Sequence, residues 1–313
     1  MIESKPPQGL LATTRAQVLP VILLPVGIGA TYAWAVANTF SWVWLGATLL
    51  GAACLHLAAN VINDVFDIQS GADEVADEME DSIRTGSPNA TPGLAIGLLL
   101  IGSGVGVVLA LYRGPLVLIY GLIGAALAVF YVAPPISIGY RGRGLGEIAI
   151  TIAFGPLPVA GAYYVQIAPT PVESYTGPLS GSLLGAPLFV WAVGLFPGLL
   201  TMLVLYHHHF LHHSADRAVG KMTPVAAWGP DAAIKISRPL IILTALVLIG
   251  LVVLRIVPWW SIAAVLPLTL AWSGVARAAT RRDLSGYLLV LRASAATSIA
   301  AQSILIISLL LPF

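Results

Sequence analysis

Four oxygen-bearing side chains lie close together where a long apolar run meets the first strongly acidic segment. Asn60, Asn63, Asp64 and Asp67 are three or four residues apart, so they share one face if the segment is helical. Clustered amide and carboxylate oxygens are the ligands that a hard divalent cation prefers. The spacing therefore predicts a site that holds such a cation and, through it, a diphosphate.

A second polar cluster occupies residues 206–221, in the second half of the chain. Five of the six histidines fall between His207 and His213. His208, His212 and Asp216 are four residues apart, which places them on one face of a continuous helix. We expect the two clusters to face each other across a helix bundle and to form one pocket, with apolar helices beneath it that could hold a long hydrocarbon tail.

The acidic segment after the first cluster has two parts. Eight of the fourteen acidic residues fall between positions 64 and 81. Five of them are expected to be ordinary solvated side chains of a loop: Glu74, Asp77, Glu78, Glu80 and Asp81. Asp64 and Asp67 belong instead to the end of an apolar helix, where an uncompensated carboxylate is costly and usually marks a functional site.

The elements that position these clusters are membrane helices. The chain of 313 residues is 58% hydrophobic and 9% charged, with a mean hydropathy of +0.91, whereas soluble domains carry about 25% charged residues. The apolar runs approach the length of a membrane span and lack the alternation of barrel strands. The sequence predicts an all-α, multi-pass membrane protein with a single domain over 1–313. The net charge of +1 says nothing about nucleic acid, and because the sequence has no basic patch with interleaved aromatic residues, no nucleic-acid partner is expected.

Nine spans are predicted, as two pseudo-repeated four-helix halves and one added helix. Their expected limits are 17–37, 43–62, 92–112, 114–133, 147–166, 184–205, 236–255, 258–275 and 288–311. With this count nearly all Lys and Arg residues fall on one side, which places the N-terminus in the cytoplasm. The segments 63–91 and 206–235 are then cytoplasmic active-site loops. We expect a bacterial or archaeal cytoplasmic membrane.

The motifs resemble the UbiA superfamily of intramembrane aromatic prenyltransferases. The specific element is Asn60-x-x-Asn63-Asp64-x-x-Asp67. Within the superfamily the chain is similar to the branch of 1,4-dihydroxy-2-naphthoate polyprenyltransferases, which serve menaquinone biosynthesis. The third Asp of the quinone-type pattern is absent, because Gly71 stands there. The segments 131–135, 140–147, 154–157 and 161–166 resemble the same branch, and 216–223 is similar to the end of the second Asp-rich motif.

The resemblance implies a reaction and a set of residues. In this family Mg²⁺ ions bridge the Asp-rich motifs to the diphosphate of an allylic prenyl donor, and the allylic cation then alkylates an aromatic acceptor in a dry pocket. By position, the first Mg²⁺ would be bound by Asn60, Asp64 and Asp67, and Asp216 would contribute to a second. The candidates for diphosphate contact are Asn63, Arg84, Tyr140, Arg141 and Lys221.

The second motif departs from the family pattern. The family usually places Asn or Asp, then Asp, then Asp at four-residue spacing, whereas this chain has His208, His212 and Asp216. Mg²⁺ prefers oxygen ligands, and imidazole suits softer metals. Three explanations remain: the second ion is lost and the histidines bind the diphosphate directly, the second site takes a softer metal, or the chemistry differs. Our hypothesis is the first, because an imidazolium partly replaces the charge of a cation.

Three other functions are compatible with parts of the sequence. A His-box membrane metal oxidase is indicated by residues 209–213, which match an HxxHH box, although such enzymes carry several boxes. A UbiA-type terpene cyclase would ionise the same diphosphate without an aromatic acceptor. A transporter would fit the pseudo-repeats, but the ionisable residues gather at one membrane face instead of mid-depth.

Overall fold

The computed structural model describes residues 9–79, 87, 89–142, 144–168, 179 and 181–312. Within these ranges the protein is almost entirely helical, and a short hairpin of β1 (Ser182–Leu183) and β2 (Ala186–Pro187) precedes one of the long helices. The helices are α1 (Leu10–Thr13), α2 (Pro20–Ala37), α3 (Trp42–Ser70), α4 (Ala72–Glu78), α5 (Pro92–Arg113), α6 (Leu116–Phe130), α7 (Leu145–Ala153), α8 (Pro156–Ile167), α9 (Leu188–His208), α10 (His213–Ala218), α11 (Pro224–Trp228), α12 (Pro230–Val253), α13 (Leu268–Arg281) and α14 (Leu284–Leu309).

Eight helical segments of the described chain are long and apolar enough to cross a membrane. They are Ala16–Ala37, Trp42–Ser70, Pro92–Arg113, Leu145–Ile167, Leu188–Leu211, Pro230–Val253, Trp259–Arg281 and Leu284–Leu309. Each corresponds to one of the nine predicted spans. The remaining predicted span, 114–133, corresponds to α6, which has 15 residues and is only about 22 Å long. The all-helical membrane architecture is confirmed, with eight candidate spans.

Helix α3 contains Asp64 and Asp67, as predicted, but it extends beyond the predicted limit of the second span. That limit was placed near residue 62, but α3 continues without a break to Ser70 and ends at Gly71, whose φ of 69° suits a glycine at a helix C-terminus. The predicted loop 63–91 therefore begins as helix and continues into α4. The loop 206–235 is similarly interrupted by α10, α11 and the start of α12. The span limit derived from the apolar residues alone was too short, because the carboxylates at the end of α3 are compensated by charges from other segments.

Close packing between helices depends on glycine. A Cβ at Gly29 of α2 would lie 2.2 Å from the carbonyl oxygen of Val159 on α8, and a Cβ at Gly198 of α9 would lie 2.2 Å from the carbonyl oxygen of Thr151 on α7. Small residues allow membrane helices to approach in this way. Helices α2, α8, α9 and α14 thereby surround the largest buried cluster of the described residues. Helix α9, which leads into the second polar cluster, is thus packed closely against α7.

Candidate active site

The carboxylate of Asp64 is the most buried charged group of the first cluster. Its side chain is 0% exposed and forms an ion pair with Arg15, which lies just before α2. The second carboxylate oxygen of Asp64 accepts a hydrogen bond from the backbone N–H of Ser87 at 2.9 Å. A buried carboxylate requires such compensation, because desolvation otherwise outweighs its interactions. The first cluster thus draws together three segments that are distant in sequence.

Asp67 connects the first cluster with the second. Its carboxylate forms an ion pair with Lys221, which lies beyond the second cluster of histidines. The Lys221 ammonium group also lies 4.9 Å from the ring centroid of Tyr140. The backbone N–H of Met222 donates to the carbonyl of Tyr140 at 3.2 Å, which ties the two loops together. Asp67, Lys221 and Tyr140, all predicted site residues, are therefore neighbours.

The two asparagines of the first motif have different environments. Asn60 Nδ2 donates to the backbone carbonyl of Thr14 at 3.1 Å, so its amide also fixes the segment that carries Arg15. Asn63 Oδ1 is buried and has no hydrogen-bond partner among the described residues. Both side chains line the same cavity. An orphaned amide oxygen beside two carboxylates is a donor set that suits Mg²⁺.

The expectation that His208, His212 and Asp216 share one continuous helical face is wrong. Helix α9 ends at His208, residues His209–Leu211 form a 3₁₀ turn, and α10 begins at His213. His212 itself has non-helical angles, with φ −131° and ψ 2°. The turn is buried throughout, so core packing decides its conformation. The His208 and His212 rings nevertheless lie 4.7 Å apart between centroids, and His208 lines the cavity.

The other histidines of the cluster have structural partners. His207 is fully buried between two hydroxyls, with Nδ1 2.7 Å from Ser294 Oγ and Nε2 3.0 Å from Ser237 Oγ. His213 Nδ1 lies 3.0 Å from the carbonyl oxygen of Phe210. His209 Nδ1 lies 3.7 Å from Glu147 Oε1. The HxxHH residues thus face three different environments, and no group of three or more His, Cys, Asp or Glu side chains within the described ranges is arranged to hold a metal ion.

Asp216 lies on α10, outside the membrane spans, and its protonation differs from that of an ordinary aspartate. Burial raises the pKa of its carboxyl to about 7. The positive charge of Lys221 opposes this shift, and the nearby Asp67 carboxylate adds to it. Because the backbone N–H of Lys221 donates to the Asp216 carbonyl at 2.7 Å, the two residues hold fixed positions. Asp216 is therefore the ligand candidate whose charge changes near neutral pH.

One predicted diphosphate contact is not part of this arrangement, and another cannot be placed. Arg141 is exposed and donates from Nη2 to the carbonyl of Pro135 at 2.6 Å and from Nε to the carbonyl of Ile136. Its guanidinium group is thus engaged with its own loop. Arg84 lies outside the described residues. Arg15 is not among the predicted site residues, although it forms an ion pair with Asp64; its position just before the first span was the available signal.

A large cavity begins at this polar region and extends into the bundle. Its volume is about 750 Å³, which is within the usual range for small-molecule sites. Arg15, Asn60, Asn63 and His208 line the polar end, and apolar side chains of α3, α5, α6, α8 and α9 line most of the rest. The cavity can therefore accept a ligand with a charged head and a long apolar part.

Comparisons with known proteins agree with this geometry. The sequence model described as the UbiA prenyltransferase family matches residues 22–287. A 2-carboxy-1,4-naphthoquinone phytyltransferase of Synechocystis sp. is 30% identical over 221 residues, which cover 70% of this chain and 66% of the relative. A 1,4-dihydroxy-2-naphthoate octaprenyltransferase of Mycobacterium tuberculosis is 33% identical over 162 residues, which cover 49% and 52%. The chain thus spans slightly less than two thirds of the first of these relatives.

Solved structures show the same fold at low sequence identity. A UbiA homologue from Archaeoglobus fulgidus bound to GPP and Mg²⁺ has a TM-score of 0.59 and 16% identity, with 94% of this chain and 99% of that chain covered. The apo structure of a UbiA homologue from Aeropyrum pernix K1 has a TM-score of 0.60 and 16% identity, with 89% and 95% covered. The likeness extends over nearly the whole bundle.

Proposed function

Because the chain belongs to the UbiA prenyltransferase family, we propose that it transfers a polyprenyl group from an allylic prenyl diphosphate to an aromatic acceptor. One observation carries this proposal: the polar end of a 750 Å³ apolar cavity is lined by Arg15, Asn60 and Asn63, and two ion pairs join the same helix α3 to segments distant in sequence, Arg15 with Asp64 and Lys221 with Asp67. The polar end suits a diphosphate with its metal, and the apolar part suits a hydrocarbon chain. The solved structure of the same fold is bound to GPP and Mg²⁺, which are the kinds of ligand that these two ends would hold.

The residues of the first cluster would hold the metal. Asp64, Asp67 and the amide oxygen of Asn60 are the proposed ligands of one Mg²⁺. Asp216 is the carboxylate that remains at the position of the family's second ion, and it would contribute to that ion if one is bound. When bound, the metal would stabilise the charge that develops on the departing diphosphate. Arg15 and Lys221 are paired with Asp64 and Asp67. We infer that both cations turn toward the phosphate oxygens when the donor binds, which would add charge-assisted hydrogen bonds.

The histidines of the second cluster take the place of the usual carboxylates. His208 lines the cavity and its ring lies beside that of His212. Both rings are thus near the proposed diphosphate position, where an N–H can donate to a phosphate oxygen. Asn63 and Tyr140 are further proposed contacts. This arrangement favours direct binding of the diphosphate by imidazole over a second, softer metal.

The proposed acceptor is 1,4-dihydroxy-2-naphthoate or a close derivative, as in menaquinone biosynthesis. The support is the pair of relatives, one a phytyltransferase of 2-carboxy-1,4-naphthoquinone and one an octaprenyltransferase of 1,4-dihydroxy-2-naphthoate. The dry cavity wall would protect the allylic cation from water until the ring attacks it.

We further propose that α6 is the ninth span and that the site faces the cytoplasm of a bacterial or archaeal cell. Lys221 and the cationic residues after α13 then share a side with Arg15, as the positive-inside rule requires. If α6 did not cross, the positive charge would be divided between the two faces. Labelling of single cysteines, introduced at exposed loop positions in a Cys54→Ala background, would report the side directly.

The function can be tested with purified protein, Mg²⁺ and geranylgeranyl diphosphate. We expect a prenylated product from 1,4-dihydroxy-2-naphthoate, with weaker or no product from 4-hydroxybenzoate, and no reaction after chelation of the metal. Release of diphosphate that does not depend on an acceptor would contradict the transferase proposal. A hydrocarbon product in that case would identify a terpene cyclase, and bound iron in the purified protein would point to a metal oxidase.

A further inference from the structure

Several polar side chains on the cavity wall lack partners in an otherwise apolar surface. His56, Asn63, Tyr131 and Thr201 all line the cavity, and each has buried polar atoms with no hydrogen-bond partner among the described residues. Native proteins satisfy nearly all buried polar groups, so each exception requires a reason. Asn63 lies at the polar end with the proposed metal ligands. His56 and Thr201 lie deeper, where the proposed chemistry gives them no role.

His56 differs from His207, which is also buried within a span. His207 has a serine hydroxyl within 3.0 Å of each ring nitrogen. His56 is 7% exposed, yet neither of its ring nitrogens has a partner in the described chain. The ring of Phe154 meets it edge-on at 5.3 Å between centroids and also lines the cavity. Both ring nitrogens of His207 thus have hydrogen-bond partners within the protein, whereas those of His56 are available to a ligand.

Thr201 is an exception among the threonines of the helices. Threonine hydroxyls inside helices commonly donate to the carbonyl four residues earlier. Thr31, Thr48, Thr151 and Thr244 all do so, at 2.7 to 2.8 Å. The Thr201 hydroxyl is buried without a partner and lines the cavity. The Thr201 hydroxyl therefore lacks the hydrogen bond to the preceding helical turn that the other four threonines make.

The two groups lie at matching depths on two different helices. His56 precedes Asn63 by seven residues on α3, and Thr201 precedes His208 by seven residues on α9. At 1.5 Å per residue this is about 10 Å below each polar end. Since both side chains line one cavity, they form a second polar level beneath the diphosphate site.

We propose that His56 and Thr201 bind the ring oxygens of the aromatic acceptor, and thereby position it beneath the diphosphate. This inference rests on the proposed prenyl transfer. A prenyl chain is hydrocarbon and cannot satisfy either group, whereas a ring hydroxyl both donates and accepts a hydrogen bond. A neutral imidazole and a threonine hydroxyl can each do the same. The Phe154 ring beside His56 supplies an aromatic contact for the acceptor ring.

The test compares KM values for the two substrates in four variants. Thr201→Val keeps the side-chain shape and His56→Phe keeps a planar ring, but both remove the hydrogen bond. We expect each to raise the KM for 1,4-dihydroxy-2-naphthoate about tenfold, which corresponds to about 1.4 kcal/mol, with the KM for geranylgeranyl diphosphate changed less than twofold. His56→Gln, which keeps a donor and an acceptor, should recover most of the loss. Thr244→Val is the matched control, because its hydroxyl is bonded within α12, and its KM values should not change.

An acceptor analogue provides a second readout that a structural effect would not produce. 1-Hydroxy-2-naphthoate lacks one ring hydroxyl, and the wild-type protein should bind it more weakly. Either Thr201→Val or His56→Phe should show no further loss of affinity for this analogue, because the ring oxygen that the replaced side chain would bind is already absent. Unchanged acceptor KM values, or equal increases for both substrates, would overturn the inference while the transferase proposal stands. A wild-type protein that uses no aromatic acceptor would overturn both.

Discussion

The polar ends of α3 and α9 meet in one site, but they differ in backbone and in charge. Helix α3 runs unbroken past Asp64 and Asp67 to Ser70, whereas α9 ends at His208 and turns through a buried 3₁₀ segment. The end of α3 presents carboxylates. The region after α9 presents imidazoles and supplies Lys221 to Asp67. The fold thus brings together two helix ends whose side chains differ in chemistry.

This difference shows how the charges in the site are balanced. Asp64 and Asp67 lie on the same helix, and neither obtains its partner from that helix. Arg15 comes from the segment before α2, and Lys221 comes from the loop after α10. Each ion pair therefore also fixes a connection between segments. The two carboxylates and the two cations balance each other in charge, and a diphosphate with Mg²⁺ would bring charges of both signs that can replace these partners.

The largest effect is expected at the end of α3. Asp64→Asn keeps the side-chain volume and removes the charge, which leaves Arg15 unpaired and removes a proposed metal ligand. We expect prenyl transfer to fall about 10²–10³-fold, measured as kcat/KM for the prenyl diphosphate at saturating Mg²⁺. Asp231→Asn is the control, because Asp231 forms an exposed surface pair with Arg282 and such pairs contribute little. Near-normal turnover in the Asp64 variant would show that the first cluster is not the metal site.

The link between the two regions gives the next largest effect. Lys221→Gln removes the cation from Asp67 and from the proposed diphosphate contact. We expect the KM for the prenyl diphosphate to rise about tenfold to hundredfold, while Lys221→Arg retains most of the affinity. Lys235→Gln, at an exposed position of α12, should have no effect. An equal fall in kcat with unchanged KM would mean that Lys221 only holds the fold of the loop.

Much of the fold was predictable from the sequence, because span length and apolar content are local properties. Eight predicted spans correspond to long apolar helices. The prediction was incomplete where the outcome depends on partners distant in sequence. The residues that compensate Asp64 lie 49 and 23 positions away, and no local pattern identifies them. The sequence placed Asp64 and Asp67 at the end of a helix, where α3 does contain them, but did not indicate which residues balance their charges.

The environments of the single histidines in the second cluster could not be predicted from the sequence either. Sequence spacing correctly indicated that His208 and His212 lie together, but it treated the five histidines as one kind of group. Successive residues of a helix point about 100° apart. His207 consequently faces Ser237 and Ser294, while His208 faces the cavity. Which side of α9 faces other helices is set by the packing of the bundle.

A pH effect on stability is expected from the second region. Burial raises the pKa of Asp216 from 3.8 to about 7 in the folded protein, so the folded state holds this proton more tightly than the unfolded state. Stability should therefore decrease as the pH rises from about 4 to 7. We expect the metal-free protein to lose on the order of 1–2 kcal/mol through this group, because the side chain remains partly in contact with water. Asp216→Asn should lack that decrease, as measured by thermal unfolding in chelator at pH 5 and pH 8. Parallel pH profiles for the two proteins would contradict the assignment.

The smallest effect tests the difference between the two helix ends most directly. His212→Asp restores a carboxylate at the position where the family usually has one, close to Asp216. If imidazole only substitutes for a second ion, the new oxygen ligand should keep the rate of Mg²⁺-dependent transfer or raise it by a few-fold at most. The Mg²⁺ concentration that gives half of the maximal rate should fall. His212→Asn controls for the loss of the ring without adding charge. Should His212→Asp abolish turnover while the unfolding temperature stays unchanged, the imidazole would have a role that a carboxylate with Mg²⁺ cannot fill. The two ends would then differ in mechanism as well as in charge.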